Sequence, residues 1–246
     1  MSSDIEDLSW FCTLFYNEKR DKEALETLKQ LIDADPKFDK QRRILFQAIY
    51  KQIIDALRRS LLNIKSYYET NTEIGQTARA EMLRQKKDEL IDSLLPLCKE
   101  AISYIDDPLL PNAENVQMAV YLHKFKGDLY RYIAEYSDET DSDSAANNAE
   151  AAYQLALDTA SSNLPKTDPV YLSLILNSAV FKYEIRKERD IATDMLKGAL
   201  VEIPDITEDM PHELIEEIKE AESVIIIMKQ NLDMWETNFD DEGNDE

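Results

Sequence analysis

The most informative stretch of this chain is KFKGDLYRY at residues 124–132, which combines charged, aromatic and apolar side chains. Apolar residues around it recur at helical spacing, so we expect it to lie within one helix. On that helix Asp128 comes four residues after Lys124 and three before Arg131. With Tyr132 following directly, a guanidinium, a phenol and a carboxylate can converge, because side chains three and four residues apart share a face. Such a group is typical either of an anion-binding cluster or of a salt-bridged helix with a core tyrosine.

Gly127 stands inside this predicted helix, where a glycine costs about 1 kcal/mol relative to alanine. A glycine in such a place indicates either close contact with another helix or simple tolerance of the cost. The local sequence leaves both explanations open.

Helical periodicity continues through almost the whole chain, and no strand pattern competes with it. Only four glycines and eight prolines occur, which favours few tight turns and long helices. Short connections between long helices favour antiparallel packing. We therefore predict an all-α fold of nine antiparallel helices, at residues 4–17, 21–34, 39–69, 74–106, 112–136, 145–162, 168–186, 189–202 and 211–236.

The domain organisation follows from length and composition. With 246 residues, 43% of them hydrophobic, the chain can bury one large core, and we predict a single helical domain over residues 1–236. Residues 237–246 are predicted to form a disordered acidic tail. The segment 137–148 is polar, acidic and almost free of large apolar groups, so we expect a disordered loop there as well.

The charge balance excludes several classes of partner. Fifty acidic residues against 28 basic ones give a formal net charge of −22, so the chain is repelled by nucleic-acid phosphates and by anionic membranes. The N-terminus lacks the basic and apolar pattern of a signal peptide, and no apolar run is long enough to cross a bilayer. The two cysteines, Cys12 and Cys98, lie in apolar helical runs and fit a reducing compartment. We predict a cytoplasmic protein with no nucleic-acid or membrane partner.

Catalytic chemistry has little support in the sequence. His123 and His212 are the only histidines, and they have no zinc-ligand spacing. Glycine-rich phosphate loops are absent, and the acidic pairs lie on stripes that read as solvated helix faces. We therefore predict a binding protein with no enzymatic activity, no metal and no cofactor.

Two further cations lie on the predicted third helix. Lys51 and Arg58 are seven residues apart and project from one face about two turns from each other. Taken alone they are typical of cations that lie over apolar surface. A phosphate monoester, however, needs planar charged donors and a supporting hydroxyl, which two arginines, a lysine and a tyrosine supply.

Two asparagines interrupt apolar helix faces near the end of the chain. Asn177 shares a face with Val180 and Glu184, beside Leu176. Asn231 lies among apolar residues of the last helix, which are Val224, Ile227, Met234 and Trp235. A carboxamide in such a place either binds the N–H and C=O of a peptide or makes a buried bond between helices.

Taken together, these segments resemble the 14-3-3 family from about residue 40 to residue 235. The resemblance rests on KGDLYRY at 126–132 and LNSAVFKYEI at 176–185, both highly specific, with RILFQAIYKQI at 43–53 and LLPNA at 109–113 in support. The family's second signature is similar to residues 219–235, although Ser223 stands where a leucine is usual. The resemblance implies a concave groove that holds phosphoserine or phosphothreonine segments of client proteins.

Carried over position by position, the resemblance implies a phosphate clamp and a peptide-binding wall. The clamp residues are Lys51, Arg58, Arg131 and Tyr132. The peptide-binding residues are Lys124, Leu176, Asn177, Val180, Glu184, Val224, Ile227, Asn231, Met234 and Trp235. The implied function is a phosphorylation-dependent adaptor in signalling. The alternative is a tetratricopeptide-like scaffold that binds peptides whether or not they are phosphorylated.

The first helices depart most from the family pattern. Family members dimerise through these helices, and the equivalent stretch here reads EKRDKEA at residues 18–24. Residues 1–34 are thus divergent helices of the dimerisation type, and whether the chain forms a homodimer or heterodimer is left open. Trp10 and Phe11 can replace polar pairing by apolar burial or can serve only the chain's own core.

Overall fold

A computed structural model describes the chain over residues 2–207 and 209–242. Within these ranges there are nine α-helices and no strand, so the predicted all-α fold is confirmed. The helices are α1 Ser2–Asn17, α2 Asp21–Ala34, α3 Lys40–Glu73, α4 Thr77–Tyr104, α5 Val116–Tyr136, α6 Glu139–Asn163, α7 Pro169–Phe181, α8 Arg189–Val201 and α9 His212–Glu242. Two π-helical turns follow α4 and α7, at Ile105–Leu109 and Lys182–Arg186.

Short polar side chains begin several of these helices. Asp39 accepts from the backbone N–H of Arg42, at 2.8 Å, and Asn115 accepts from that of Met118, at 2.9 Å. At the start of α7, Asp168 accepts from two backbone N–H groups and Pro169 occupies the first turn. These caps satisfy donors that have no partner inside the helix, and proline there removes a donor that would be orphaned.

The helices fall into two compact units, Met1–Glu114 and Asn115–Glu246. In the first unit α1 packs against α2, and α3 packs against α4. Its core includes Leu28, Leu31, Phe46, Ile49 and Leu94, all buried. The prediction that residues 1–236 form one domain stays a prediction.

A buried polar bond adds to the first unit. The Tyr50 hydroxyl donates to Glu100 Oε1 at 2.9 Å, and Lys29 Nζ donates to the other carboxylate oxygen at 2.7 Å. The Tyr50 side chain is completely buried, so this hydrogen bond satisfies a hydroxyl that water cannot reach.

In the second unit, α5 packs along α6, and α7 contacts α5, α6, α8 and α9. The core between α7, α8 and α9 is built from Leu172, Ile175, Leu176, Ala179, Ala192, Leu196, Ala221, Met228, Leu232 and Trp235. Because α7 contacts four other helices, its polar side chains can reach groups on several of them.

The predicted loop at 137–148 is wrong, because α6 begins at Glu139. Asp138 caps the helix by accepting from the backbone N–H of Asp141. Beyond the cap, Ala145, Ala146 and Ala149 are buried. Alanine has the highest helix propensity, and its small side chain lets two helices approach closely. These alanines form the apolar face of the helix, although none of them is a large apolar residue.

The last helix also extends further than the sequence indicated. We expected it to end at residue 236, and α9 continues to Glu242. The remaining part of the predicted acidic tail, residues 243–246, lies outside the described residues.

Candidate functional site

A buried carboxylate, Asp128 on α5, lies at the centre of the polar cluster of the second unit. Its side chain is only 3% exposed. Asp128 Oδ1 accepts from the Tyr153 hydroxyl at 2.6 Å and from Asn177 Nδ2 at 2.7 Å. Its second oxygen, Oδ2, accepts from Lys124 Nζ at 3.2 Å. One carboxylate therefore joins three helices, α5, α6 and α7.

The charge state of Asp128 depends on its two cationic neighbours. Burial by itself would raise the pKa of this carboxyl. The charges of Lys124 and Arg131, together with the hydrogen bonds from Tyr153 and Asn177, outweigh burial, and the pKa of Asp128 lies below its usual value. The carboxylate is thus ionised at neutral pH and pairs directly with Lys124.

Arg131 is the second cation of the cluster and is 7% exposed. Its guanidinium lies over the Tyr132 ring, 4.6 Å from the ring centroid. Burial works to lower its pKa, but the oxygens of Tyr153, Tyr132 and Asp128 raise it above the ordinary arginine value. Arg131 is therefore permanently charged and shielded from water, so its attraction for an anion is weakly screened and strong.

A half-exposed acid, Glu184, lies close to Arg131. Its Oε2 is 3.8 Å from Arg131 Nη1, and its side chain is 53% exposed. An exposed carboxylate at this distance contributes little to stability and can move away at small cost. Because Lys124 and Arg131 share the single buried carboxylate of Asp128, the cluster keeps one positive charge, which the exposed Glu184 compensates only weakly.

The turn that carries Glu184 is held against α6 by an ion network. Lys182 Nζ is 2.5 Å from Glu150 Oε1, and Arg186 Nη2 is 2.6 Å from Glu150 Oε2. Both cations belong to the π-helical turn Lys182–Arg186, which ends at Lys187 in a left-handed conformation. These ion pairs hold the backbone around Glu184, whose own side chain is half-exposed.

The two predicted amides lie in different surroundings. Asn177 is half-buried, and its Nδ2 is used by Asp128, so its donor makes the bond between helices that the sequence left open. This bond also orients the amide and directs its carbonyl oxygen away from Asp128. Asn231 is half-buried on α9. Peptide binding by either amide stays a prediction.

The predicted apolar wall is divided between core and surface. Leu176 is buried in the core of the second unit, and Val180 and Val224 pack against that core. Ile227 and Met234 are exposed on α9, as is Ser223.

Trp235 is placed differently from the other wall residues. It is 2% exposed, and its ring stacks on Tyr183 at 4.3 Å between centroids with an angle of 6° between planes. Trp235 therefore supports the core beneath the wall, and its predicted contact with a peptide stays a prediction.

Lys51 and Arg58, the other two predicted clamp residues, belong to the first unit. Both lie on α3, where Lys51 is exposed and Arg58 is half-buried. Arg58 lies close enough to Cys98 to act on its thiol, although burial dominates and raises the pKa of Cys98 to about 12. Their participation in a phosphate clamp stays a prediction.

One residue of the cluster was missed by the sequence reasoning, Tyr153 on α6. Its ring lies against Gly127, where an added Cβ would be 2.7 Å from two ring carbons. Of the two explanations for that glycine, close helix contact is therefore confirmed. The signal available in the sequence was a lone tyrosine in an alanine-rich helix, opposite a helix that contains a glycine.

No group of three or more potential ligands in residues 2–207 and 209–242 is arranged to hold a metal ion. Over the same residues, none of the helices combines the length and apolar character that a membrane-spanning segment needs.

Comparison with known proteins places the chain in a family. A family model described as 14-3-3 protein matches residues 12–236. The 14-3-3 protein 2 of Entamoeba histolytica is 29% identical over 237 residues, which cover 96% of this chain and 98% of that protein. The checkpoint signal transducer rad25 of Schizosaccharomyces pombe is 30% identical over 239 residues, covering 96% of this chain and 86% of the relative.

A plant relative matches along the full length of the chain. The 14-3-3-like protein GF14 epsilon of Arabidopsis thaliana is 28% identical over 249 residues, covering 100% of this chain and 95% of that protein. The chain belongs to the 14-3-3 family, whose members are signalling adaptors that bind client proteins. The tetratricopeptide-like alternative is not favoured.

Proposed function

We propose that this chain binds client proteins at phosphorylated serine or threonine and catalyses no reaction on them. The observation that carries the proposal is the buried guanidinium of Arg131, which shares the single buried carboxylate Asp128 with Lys124 and has the half-exposed Glu184 as a distant second partner. A group that brings negative charge to this place gains a strong interaction, because charge–charge attraction is least screened where water is scarce.

A phosphate monoester fits the cluster better than a carboxylate does. It carries close to two negative charges at neutral pH and has three acceptor oxygens. Arg131 offers a planar set of donors, and within the described residues its Nε has no hydrogen-bond partner. The ring of Tyr132 supports the guanidinium from one side and limits its movement.

Two more cations complete the proposed clamp. The family resemblance assigns Lys51 and Arg58 to the same phosphate as Arg131 and Tyr132. Lys124 has a different part in this proposal, since it is already paired with Asp128 at 3.2 Å. Lys124 therefore attracts an anionic ligand less strongly than an unpaired lysine would.

The segments on both sides of the phosphate are proposed to bind in an extended conformation. Asn177 and Asn231 would hold the backbone of the client, and the orientation of Asn177 is already set by Asp128. The exposed side chains of Ile227 and Met234, with half-buried Val180 and Val224, offer an apolar surface for residues beside the phosphate. Glu184 would then be released to pair with a basic residue of the client.

Dimerisation through α1 and α2 is part of the same proposal. Trp10 is 61% exposed and lies edge to face with Phe11, 4.9 Å between ring centroids. Two neighbouring exposed aromatic rings are typical of a surface that is covered by a partner. The partner is expected to be a second copy of this chain or a related family member. The predicted cytoplasmic location stays a prediction.

The proposal is tested by titration of a fluorescent peptide of the Arg-Ser-x-phosphoSer-x-Pro type beside its unphosphorylated twin. We expect the phosphopeptide alone to bind, and Arg131→Ala to weaken it by a factor of about 10 to 100, the effect of losing hydrogen bonds to a charged group. Arg84→Ala is the matched control, because Arg84 is an exposed arginine that pairs with Glu81 on the same helix. Equal binding of both peptides would overturn the proposal and return attention to a scaffold indifferent to phosphorylation.

A further inference from the structure

We propose that Tyr153 is a positioning residue for the phosphate clamp: its hydroxyl holds Asp128 in place and so keeps Arg131 available to the ligand. This inference rests on the proposed function and assigns a role to a residue of α6 that lies outside the predicted clamp.

Three hydrogen bonds reach the Asp128 carboxylate, two from the neutral groups of Tyr153 and Asn177 and one from Lys124. Tyr153 makes the shortest of the three bonds, at 2.6 Å, and shares Oδ1 with Asn177. The remaining oxygen is directed to Lys124. With these partners in place, the carboxylate does not need the guanidinium of Arg131 to satisfy its lone pairs.

The Tyr153 hydroxyl also lies beside Arg131. Burial acts most strongly on the pKa of this phenol and, with the charge of Asp128, raises it well above the ordinary tyrosine value; the charge of Arg131 and its hydrogen bond only partly offset the rise. The phenol is therefore neutral across the physiological pH range, and its O–H donates a hydrogen bond to Asp128. One hydroxyl thus stands between the carboxylate and the guanidinium and touches both.

The ring that carries this hydroxyl is fixed on two sides. One side lies against Gly127, so closely that a Cβ at that position would be 2.7 Å from the ring. The ring of Phe181 on α7 packs nearby, 5.5 Å between centroids. A side chain confined in this way cannot swing aside, so the position of its hydroxyl is set by the packing of α6 on α5.

The loss of the hydroxyl has a definite expected consequence. In Tyr153→Phe the ring remains but Oδ1 of Asp128 loses its shortest donor. The Arg131 guanidinium, whose charge already acts on Asp128, is the donor we expect to turn toward it and form a direct ion pair. An arginine paired in this way is less available to a phosphate, because the ligand must then compete with a buried carboxylate.

A double-mutant cycle tests the assignment by phosphopeptide titration of the full chain, Tyr153→Phe, Arg131→Ala and the double variant. We expect Tyr153→Phe to weaken the phosphopeptide about tenfold, the effect of one lost bond to a charged group. In the Arg131→Ala background the same change should have no effect. A purely structural tyrosine would lower affinity by the same factor in both backgrounds, and that outcome would overturn the inference.

Tyr50→Phe is the matched control, since it also removes a buried phenol bond to a carboxylate, at Glu100. It should lower the thermal midpoint as Tyr153→Phe does and leave the affinity for the phosphopeptide unchanged. If the wild type binds both peptides equally, the proposed function fails and this assignment fails with it. If the wild type prefers the phosphopeptide and Tyr153→Phe binds it equally well, only the role of Tyr153 is overturned.

A second measurement covers the case in which Tyr153→Phe does not fold. With 3-fluorotyrosine at position 153 of the full chain, the ¹⁹F signal reports directly on the hydroxyl. We expect it to shift on saturation with the phosphopeptide and to stay unchanged with the unphosphorylated twin. A ¹⁹F chemical shift that stays unchanged on saturation with the phosphopeptide would contradict the assignment.

Discussion

The replacement Asp128→Asn removes the charge at the centre of the second unit with almost no change of volume. Two buried cations, Lys124 and Arg131, then lose their counter-charge. The new amide also presents a donor to groups that are themselves donors, since Lys124, Tyr153 and Asn177 all donate to this side chain. The variant therefore leaves buried polar groups without partners.

The expected loss can be estimated from the burial. Asp128 is 3% exposed, and breaking a buried ion pair by removing one partner costs about 3–5 kcal/mol. Domains of this size are stable by roughly 5–15 kcal/mol, so the change removes a large share of the stability of the second unit.

Urea unfolding followed by tryptophan fluorescence measures this loss. Trp235 is buried in the second unit and Trp10 is exposed in the first, so a Trp10→Phe background isolates the signal of the second unit. The matched control is Asp88→Asn, which breaks an exposed pair with Arg84 at the same spacing of four residues and should have no measurable effect. A loss below about 1 kcal/mol in Asp128→Asn would refute the reasoning, because the cluster would then contribute no more than a surface pair.

Acid unfolding provides an independent check of the same carboxylate. The pKa of Asp128 is lowered in the folded state, so its stabilising contribution is complete above the unfolded value of roughly 3.9. That contribution is lost as the pH falls through the lower folded value. The free energies of unfolding of the wild type and Asp128→Asn should therefore converge in acid, and a constant difference across this range would contradict the assigned charge state.

Three further outcomes are expected. Gly127→Ala should destabilise the second unit by about 1–3 kcal/mol in urea unfolding, because the new Cβ would lie 2.7 Å from the ring of Tyr153. This overpacking costs more than the gain in helix propensity from glycine to alanine. An increase in stability would show that the ring can move. Glu184→Gln should strengthen binding of a phosphopeptide without basic residues by a few fold in fluorescence titration, since the acid 3.8 Å from Arg131 no longer competes; weaker binding would contradict this. Trp10→Glu should shift the mass found by light scattering toward the monomer, and an unchanged mass would remove the exposed α1 surface from the proposed dimer contact.

Much of the helical organisation could be predicted from local patterns. Capping residues such as Asp39, Asn115 and Asp168 precede apolar periodicity, and these signals act over three or four residues. The start of α6 was predicted wrongly because alanine was not counted as a core residue. Ala149 has no large side chain, yet it is completely buried, and only the approach of a second helix decides that.

The candidate site divides in the same way. Lys124, Asp128 and Arg131 could be grouped from their spacing on one helix. Trp235 could not be assigned to the core, since its burial depends on stacking with Tyr183 from another helix. The role of Asn177 was open for the same reason, because its partner Asp128 is 49 residues away.

The helical class, most of the helical segments and the cations on their faces could be read from the sequence alone, because each of these depends on spacing within a few turns. The tertiary structure alone decided that Tyr153 and Asn177 meet on Asp128, which lies 25 and 49 residues from them along the chain. It also decided which charges are neutralised and that Arg131 is left with a loosely held partner. Packing between helices sets these contacts, so they cannot be predicted from the spacing of residues along the chain.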